Sequence, residues 1–277
     1  MKAMIFDIQR ASTVDGPGFR TAVFFKGCNL RCVWCHNPES QSFAKELMRY
    51  ADRCTHCGIC QEVCPNGPGA CTLCGACTGK CSNEARNLCG TEYSVDEVQA
   101  KIMKDRLFYE TSGGGVTFSG GECMLQLDFL TALLCACQEK RIHTAVDTAG
   151  NIPFASFVQI LPYADMILYD IKLMDSRLHR TYTGAGNELI LSNLSMLLKM
   201  GKRVWVRVPV IPGINDNVDE MTRIREFLLE NGYPEQVELL PYHRMGENKL
   251  AALGRSVQQH GVPDKALMEV LVKAIAR

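Results

Sequence analysis

The chain has 277 residues, enough for one α/β domain or for one domain with a small insert. With 47% hydrophobic and 22% charged residues it can bury a core, which excludes a disordered chain, and 30 basic side chains against 30 acidic ones exclude the basic excess of a nucleic-acid binder. No apolar run approaches the roughly 18 to 20 residues of a membrane span. Asp7 and Arg10 interrupt the first ten residues where an export signal would be apolar. A cytoplasmic protein that contacts neither nucleic acid nor membrane is therefore expected, working as a monomer. Its 15 cysteines are the anomaly, because a secreted disulfide scaffold would be far shorter. Eleven of them lie between Cys28 and Cys81. Such clustering in a reducing compartment points to metal-bound thiolates.

In chain order, Thr21–Lys26 reads as a strand and is followed by a loop, Gly27-Cys28-Asn29-Leu30-Arg31-Cys32-Val33-Trp34-Cys35-His36-Asn37-Pro38. Residues 45–91 then break the pattern, being rich in Cys, Gly and small polar residues and poor in aliphatics. Such a stretch cannot build a core of its own and is expected to fold around metal, as an insert after the first strand. From residue 92 short apolar runs alternate with amphipathic stretches. Val116–Ser119, Thr144–Asp147, Met166–Ile171, Val204–Val210 and Val237–Leu240 read as buried strands, and Asp128–Lys140, Val218–Asn231 and Asp264–Ile275 as helices. Asp264 follows Pro263 and suits a helix cap. About six βα units imply a parallel sheet with helices outside, an open or partial (β/α)6 barrel made of residues 1–44 and 92–277. Functional residues should then sit on loops at the carboxyl ends of the strands.

Three cysteines on one loop, Cys28, Cys32 and Cys35 at C-x3-C-x2-C spacing, leave a tetrahedral zinc site one ligand short unless His36 or a remote group completes it. A four-iron cluster tolerates the deficit, since one iron then stays open to a small ligand. Gly120-Gly121-Glu122 ends a strand, and adjacent glycines let a ligand reach the backbone, although a tight strand-to-helix turn has the same composition. Asp147, Thr148 and Asp170 end two successive strands and offer hard oxygen ligands, or else serve as caps and solvated strand ends. Cys54-x2-Cys57-x2-Cys60-x3-Cys64-Pro65 and Cys71-x2-Cys74-x2-Cys77-x3-Cys81 repeat the bacterial ferredoxin spacing twice. Two zinc sites would be the alternative. Cys135 and Cys137, in an apolar helix, read as core.

The cysteine triplet at the end of a first barrel strand, with an aromatic Trp34 before its last member, resembles the radical SAM superfamily. In order, Asp15-Gly16-Pro17-Gly18-Phe19-Arg20, Trp34-Cys35-His36-Asn37-Pro38-Glu39, Gly113–Glu122, Asp147-Thr148-Ala149-Gly150, Asp170-Ile171-Lys172 and Leu240-Pro241-Tyr242-His243 cover nearly the whole chain. That ordered set resembles the glycyl radical enzyme activating enzymes, of the pyruvate formate-lyase activating type. The resemblance implies that Cys28, Cys32 and Cys35 hold a 4Fe-4S cluster whose open iron chelates S-adenosylmethionine. Trp34, His36, Gly120, Gly121, Glu122, Asp170, Ile171, Lys172, Arg207 and His243 would line the cofactor. Asp147, Thr148 and Asp170, helped by the Leu168 carbonyl, would hold a monovalent cation beside it. Cys123 is expected to be a buried spectator.

The two ferredoxin-like runs would carry two further 4Fe-4S clusters, three in all. Crossed pairing puts Cys54, Cys57, Cys60 and Cys81 on one, and Cys64, Cys71, Cys74 and Cys77 on the other. The short interval between Cys64 and Cys71, and Ser82 in place of a proline after Cys81, leave that pairing open, with Cys89 as a substitute for Cys81. The implied reaction cleaves S-adenosylmethionine reductively to methionine and a 5′-deoxyadenosyl radical, which takes hydrogen from a glycine of a partner glycyl radical enzyme. Electrons would come from a flavodoxin- or ferredoxin-type donor, and Asp15 would meet the partner's glycine loop. Two rivals stay open: another radical SAM reaction, and an electron carrier built on the eight-cysteine insert. A carrier needs no cofactor cradle.

Overall fold

The computed structural model describes residues 1–67 and 71–277. A hairpin begins the chain: β1 (Lys2–Ser12) runs antiparallel to β2 (Arg20–Phe25), whose side chains are buried throughout. The connection that leaves β2 carries the cysteine loop, and then a two-stranded ribbon of β3 (Glu46–Arg49) and β4 (Arg86–Cys89). A four-residue helix α1 (Ile59–Glu62) lies between these strands and buries no residue, as expected of a segment without a core of its own. Next β5 (Thr91–Ser94) pairs with the outer side of β1.

From there strands and helices alternate. Helices α2 (Val95–Ile102) and α3 (Arg106–Ser112) precede β6 (Gly115–Gly120), and α4 (Leu127–Glu139) precedes β7 (His143–Thr148). Then come α5 (Phe154–Ile160), β8 (Met166–Asp170), α6 (Ser176–Thr183), α7 (Glu188–Lys199) and β9 (Val204–Val210). Helix α8 (Val218–Asn231), β10 (Gln236–Pro241), α9 (Met245–Ala252) and α10 (Lys265–Ile275) complete the chain. The eight strands of the main sheet lie in the order β10-β9-β8-β7-β6-β2-β1-β5. Six of them, β2 and β6 to β10, are parallel, and the sheet ends at β10 and β5 without closing.

The six parallel strands are those expected from the β-branched runs, and the open barrel is as expected. The antiparallel edge of β1 and β5 is an addition to that reading. Lys2–Ser12 buries Ala3 and Ile5 but mixes charges through its length, so it lacks the continuous apolar run of a central strand. One core runs under the sheet, from Val23, Phe25 and Phe118 through Leu130, Leu134 and Tyr169 to Val206, Ile224 and Leu271. The strands thus deliver their carboxyl ends, and the loops that follow, to one mouth. No helix of the described residues is long and apolar enough to cross a membrane.

Candidate active site

The cysteine loop is laced into that mouth by main-chain hydrogen bonds from three directions. Gly27 N donates to Ser40 O at 2.6 Å, Glu122 N to Gly27 O at 2.8 Å and Arg31 N to Thr183 O at 2.7 Å. Close approach to β6 depends on glycine: a Cβ on Gly121 would lie 2.2 Å from Gly27 O. The space beside Gly121 is taken by the backbone of Gly27 and Ser40, at the two ends of the cysteine loop, and that beside Gly120 by Phe25 of β2. Glu122 is fully buried and turned inward. Its Oε2 accepts from Thr148 Oγ1 at 2.8 Å and from Ala149 N at 3.2 Å, and its Oε1 from Met124 N at 3.3 Å. Burial pushes its carboxyl up to about 7 despite these donors.

From the other side α9 reaches the loop. Gly246 has room for no side chain, since a Cβ would stand 2.4 Å from Cys35 O. Beneath the loop Trp34 packs with Leu173, Ile211 and Tyr242, and its ring lies 6.2 Å from that of Tyr182. His36 meets His243 edge to face at 4.2 Å, and burial, then His243 and Lys249, lower its pKa to about 4. The sequence reading placed both histidines at the site, and the fold brings them together.

The three thiols are electrostatic neighbours. Burial pushes Cys28 up to about 11 and Cys35 to about 12, and raises Cys32, with each further raised by another of the three or by a nearby carboxylate. Lys172 opposes all three shifts. Metals bind thiolates, so this environment favours a ligand whose own positive charge replaces three protons. The donor set fits an iron–sulfur cluster: three thiolates, one cation and no fourth cysteine on the loop.

Facing them stands a charged group assembled from β7, β8 and β9. Arg207 bridges two carboxylates, with Nη2 on Asp147 Oδ1 and Nε 3.3 Å from Asp170 Oδ1. Lys172 Nζ is 3.0 Å from Asp170 Oδ2, and Ser119 Oγ donates to Asp147 Oδ2 at 2.5 Å. Burial alone would raise Asp170, but Lys172 and Arg207 outweigh it and hold its carboxyl below the usual range. Asp147, Thr148 and Asp170 do not gather around one point: the carboxylates converge on Arg207, and the Thr148 hydroxyl turns to Glu122. Among the described residues no three His, Cys, Asp or Glu side chains are placed to hold a single metal ion. Ile171 turns into the core and its amide donates to Arg207 O at 2.9 Å. Cys123 is buried, its thiol donating to Asp147 O at 3.5 Å, and Cys137 belongs to the core.

Asp15 accepts at its carboxylate from Ser12 Oγ at 2.5 Å. Its carbonyl accepts from Thr117 Oγ1 at 2.5 Å, and fully buried Arg20 donates to Pro17 O at 3.2 Å and Val116 O at 2.5 Å. These bonds fold the loop between β1 and β2 onto β6. Three buried asparagines fasten the facing loops, a feature the sequence reading missed: Asn193 Nδ2 donates to Gly150 O at 2.8 Å, Asn187 Nδ2 to Leu173 O at 2.8 Å and Asn215 Nδ2 to Lys172 O at 2.9 Å. Asparagine recurs in loops everywhere, so only the fold distinguishes these three.

The eight cysteines between β3 and β4 lie on a structural repeat of period 17. Cys54, Cys57, Cys60 and Cys64 correspond to Cys71, Cys74, Cys77 and Cys81. Both copies put the residue before the second cysteine in the left-handed region, His56 at φ 56° and Leu73 at φ 56°, followed by Gly58 at 82° and Gly75 at 79°. The main-chain bonds repeat as well: Cys64 N to Gln61 O and Cys81 N to Thr78 O, then Gly67 N to Cys64 O and Glu84 N to Cys81 O. Non-glycine residues rarely adopt such φ values without a compensating interaction. Residues 68–70 of the interval between Cys64 and Cys71 lie outside the described residues.

Comparison with known proteins accords with this arrangement. The Radical SAM superfamily profile matches residues 22–227. A trans-4-hydroxy-L-proline dehydratase activating enzyme of Clostridioides difficile is 44% identical over 264 residues, covering 90% of this chain and 87% of that one. A choline trimethylamine-lyase activating enzyme of Oleidesulfovibrio alaskensis is 42% identical, covering 95% and 90%. Among solved structures, a domain of a pyruvate-formate lyase-activating enzyme from Bacteroides vulgatus superposes with a TM-score of 0.51 at 30% identity, over 58% of this chain and 92% of that chain. A radical SAM methyltransferase from Sphaerobacter thermophilus, 14% identical with a TM-score of 0.56 over 99% of this chain and 70% of its own, shares the fold. Their family uses S-adenosylmethionine and a 4Fe-4S cluster. By fold, motif order and these relatives, the chain belongs to the radical SAM superfamily and, within it, to the activating enzymes of glycyl radical enzymes.

Proposed function

We propose that this protein activates a glycyl radical enzyme by removing a hydrogen atom from a glycine Cα of that partner. The observation that carries the reading is the seating of the three-cysteine loop against the Gly120-Gly121 end of β6, opposite Asp170, Lys172 and Arg207. Cys28, Cys32 and Cys35 would hold the cluster, and Gly121, Asp170, Lys172, Arg207, His36 and His243 the S-adenosylmethionine. When bound, cluster and cofactor supply a one-electron cleavage of the sulfonium C–S bond and the hydrogen-abstracting radical that results.

The chain's own residues then have separable tasks. Lys172, with its pKa raised by Asp170 and the neighbouring thiols against the cost of burial, places a permanent positive charge beside the cysteine loop. Arg207 and Asp170 set the charge pattern that orients an amino-acid carboxylate and amine. Trp34, Leu173 and Tyr242 exclude water beneath the loop. Asp15, on a loop pinned to β6, is placed to meet the partner's glycine segment. A monovalent cation at Asp147 and Asp170 would take the place of the Arg207 guanidinium. Two more 4Fe-4S clusters on the period-17 repeat, in a domain of residues 45–91, would pass electrons from a flavodoxin- or ferredoxin-type donor. The enzyme would work as a monomer.

The test is an anaerobic assay with partner glycyl radical enzymes of the types the relatives activate. Electron paramagnetic resonance should show a glycyl radical doublet that depends on S-adenosylmethionine and reductant. Cofactor cleavage with a small-molecule product and no protein radical would favour another radical SAM reaction.

A further inference from the structure

Lys26 directly follows β2, which is apolar from Ala22 to Phe25, and precedes Gly27 and Cys28. Its side chain is completely buried, and all three N–H donors of its ammonium are used. Nζ donates to Glu39 O at 2.7 Å, to Ser42 O at 2.9 Å and to Glu46 Oε2 at 2.8 Å. The first two acceptors belong to the backbone returning from the cysteine loop. The third is the first residue of β3, where the insert begins. Glu46 also pairs with Arg255, which donates to Pro38 O at 2.7 Å and Gln41 Oε1 at 3.3 Å. The insert's other end closes on the same point. Cys89 of β4 donates to Glu39 O at 3.7 Å, and a Cβ on Gly90 would lie 2.9 Å from Lys26 Cδ. Lys249 of α9 pairs with Glu39 Oε1 at 2.7 Å and donates to Asn37 Oδ1 at 2.8 Å.

Burying an ammonium is costly unless every donor is paired, so a role in packing alone would be met better by an apolar side chain of the same length. Here the three acceptors follow the junction from the end of the cysteine loop into the first strand of the stem, and the stem's returning strand, through Cys89 and Gly90, packs on the same ammonium and its acceptors. We propose that Lys26 is a positioning residue: it clamps the insert's two-stranded stem to the loop that carries Cys28, Cys32 and Cys35, and so fixes the separation between the groups the two regions hold. The consequence for electron supply rests on the function proposed above. One electron from a low-potential protein donor enters the insert and leaves it for the site, and the rate of that transfer falls steeply with separation. The clamp itself rests on side-chain geometry alone.

Two variants of the anaerobically reconstituted full chain separate the legs of the clamp. Glu46→Ala removes the leg to the insert and leaves Lys26 both carbonyl bonds, whereas Lys26→Met removes both legs. In Glu46→Ala, amides of residues 46–49 and 86–89 should exchange with deuterium about tenfold faster or more, with amides of β7 and β8 unchanged. S-adenosylmethionine affinity should stay within about twofold of wild type, and magnetic coupling between reduced clusters should weaken. Activation of the partner should fall with reduced flavodoxin and be spared with titanium(III) citrate. Lys26→Met should add a loss of cofactor affinity, because the cysteine loop is loosened too. Unchanged stem exchange in Glu46→Ala would overturn the clamp, even if Lys26→Met fails to fold. Equal losses with both reductants would overturn the link to electron supply. A wild-type preparation with about four irons in place of about twelve would refute the cluster-bearing insert while the exchange data still judged the clamp.

Discussion

Arg207 sits between Asp147 and Asp170, so any cation that ligates those carboxylates must compete with its guanidinium. Arg207→Met should therefore weaken S-adenosylmethionine binding about tenfold, the worth of one charge-assisted contact, and make the remainder depend on potassium. Titration calorimetry at low and high potassium checks this, and a strong potassium dependence in the wild type would oppose it. Glu122 gives a second prediction. Burial raises its carboxyl from 4.5 to about 7, so between these values the folded protein holds a proton the unfolded chain has lost. Stability of the unloaded protein should fall as pH rises across that window and level off above it. Thermal unfolding of Glu122→Gln should show a flatter profile there, and an unchanged slope would assign the dependence to other groups. Asp147 and Asp170 were legible in the sequence because a parallel sheet collects its carboxyl ends, whereas Lys172 and Arg207, the latter inside β9, were reached only through the family resemblance. Lys249 and Gly246 were not legible, since their meaning lies in contacts with Asn37 and Cys35, Lys249 standing 212 positions from Asn37. Nor was Lys26, because the turn that brings Glu39, Ser42 and Glu46 onto its ammonium has no local mark.

The six parallel strands were equally legible, because strands buried on both faces need continuous β-branched and apolar runs. Lys2–Ser12 escaped notice because only Ala3 and Ile5 of it are buried, so it shows no continuous apolar run, and α5, α6 and α7 fall in the intervals where the alternation of strands alone implies helices. Nothing local marks the stem either: Glu46 opposes Cys89 and Arg49 opposes Arg86, pairings made across the whole cysteine-rich segment. Within that segment the cysteine spacing was visible, but the repeated left-handed residues, His56 with Leu73 and Gly67 with Glu84, emerge only from the backbone. If the insert relays electrons and does not build the cofactor site, alanine at Cys57 and Cys74 should leave S-adenosylmethionine affinity nearly intact. Glycyl radical yield should drop strongly with a protein donor and less with a small strong reductant. Lost affinity in these variants would make the insert part of the site's architecture.

At the scale of the whole molecule, an open parallel sheet presents one mouth, and three segments distant in sequence close on it: the cysteine loop after β2, the strand ends of β6 to β9, and α9. The opening left by an incomplete barrel suits a macromolecular substrate, since a folded partner must deliver a glycine to a buried centre. The stem of β3 and β4 joins this mouth on the side of Lys26 and Glu46, where the electron supply proposed for the insert would meet the chemistry. The central claim is that the three cysteines after β2 create a centre that cleaves S-adenosylmethionine. The measurement is product analysis after anaerobic reconstitution with iron and sulfide, comparing the wild type with the Cys28→Ala, Cys32→Ala, Cys35→Ala triple variant. With dithionite, the wild type should yield methionine and 5′-deoxyadenosine in equal amounts, and the triple variant should hold about four fewer irons and yield neither. A protein that binds stoichiometric zinc without iron, or wild type and variant that cleave the cofactor alike, would contradict the account.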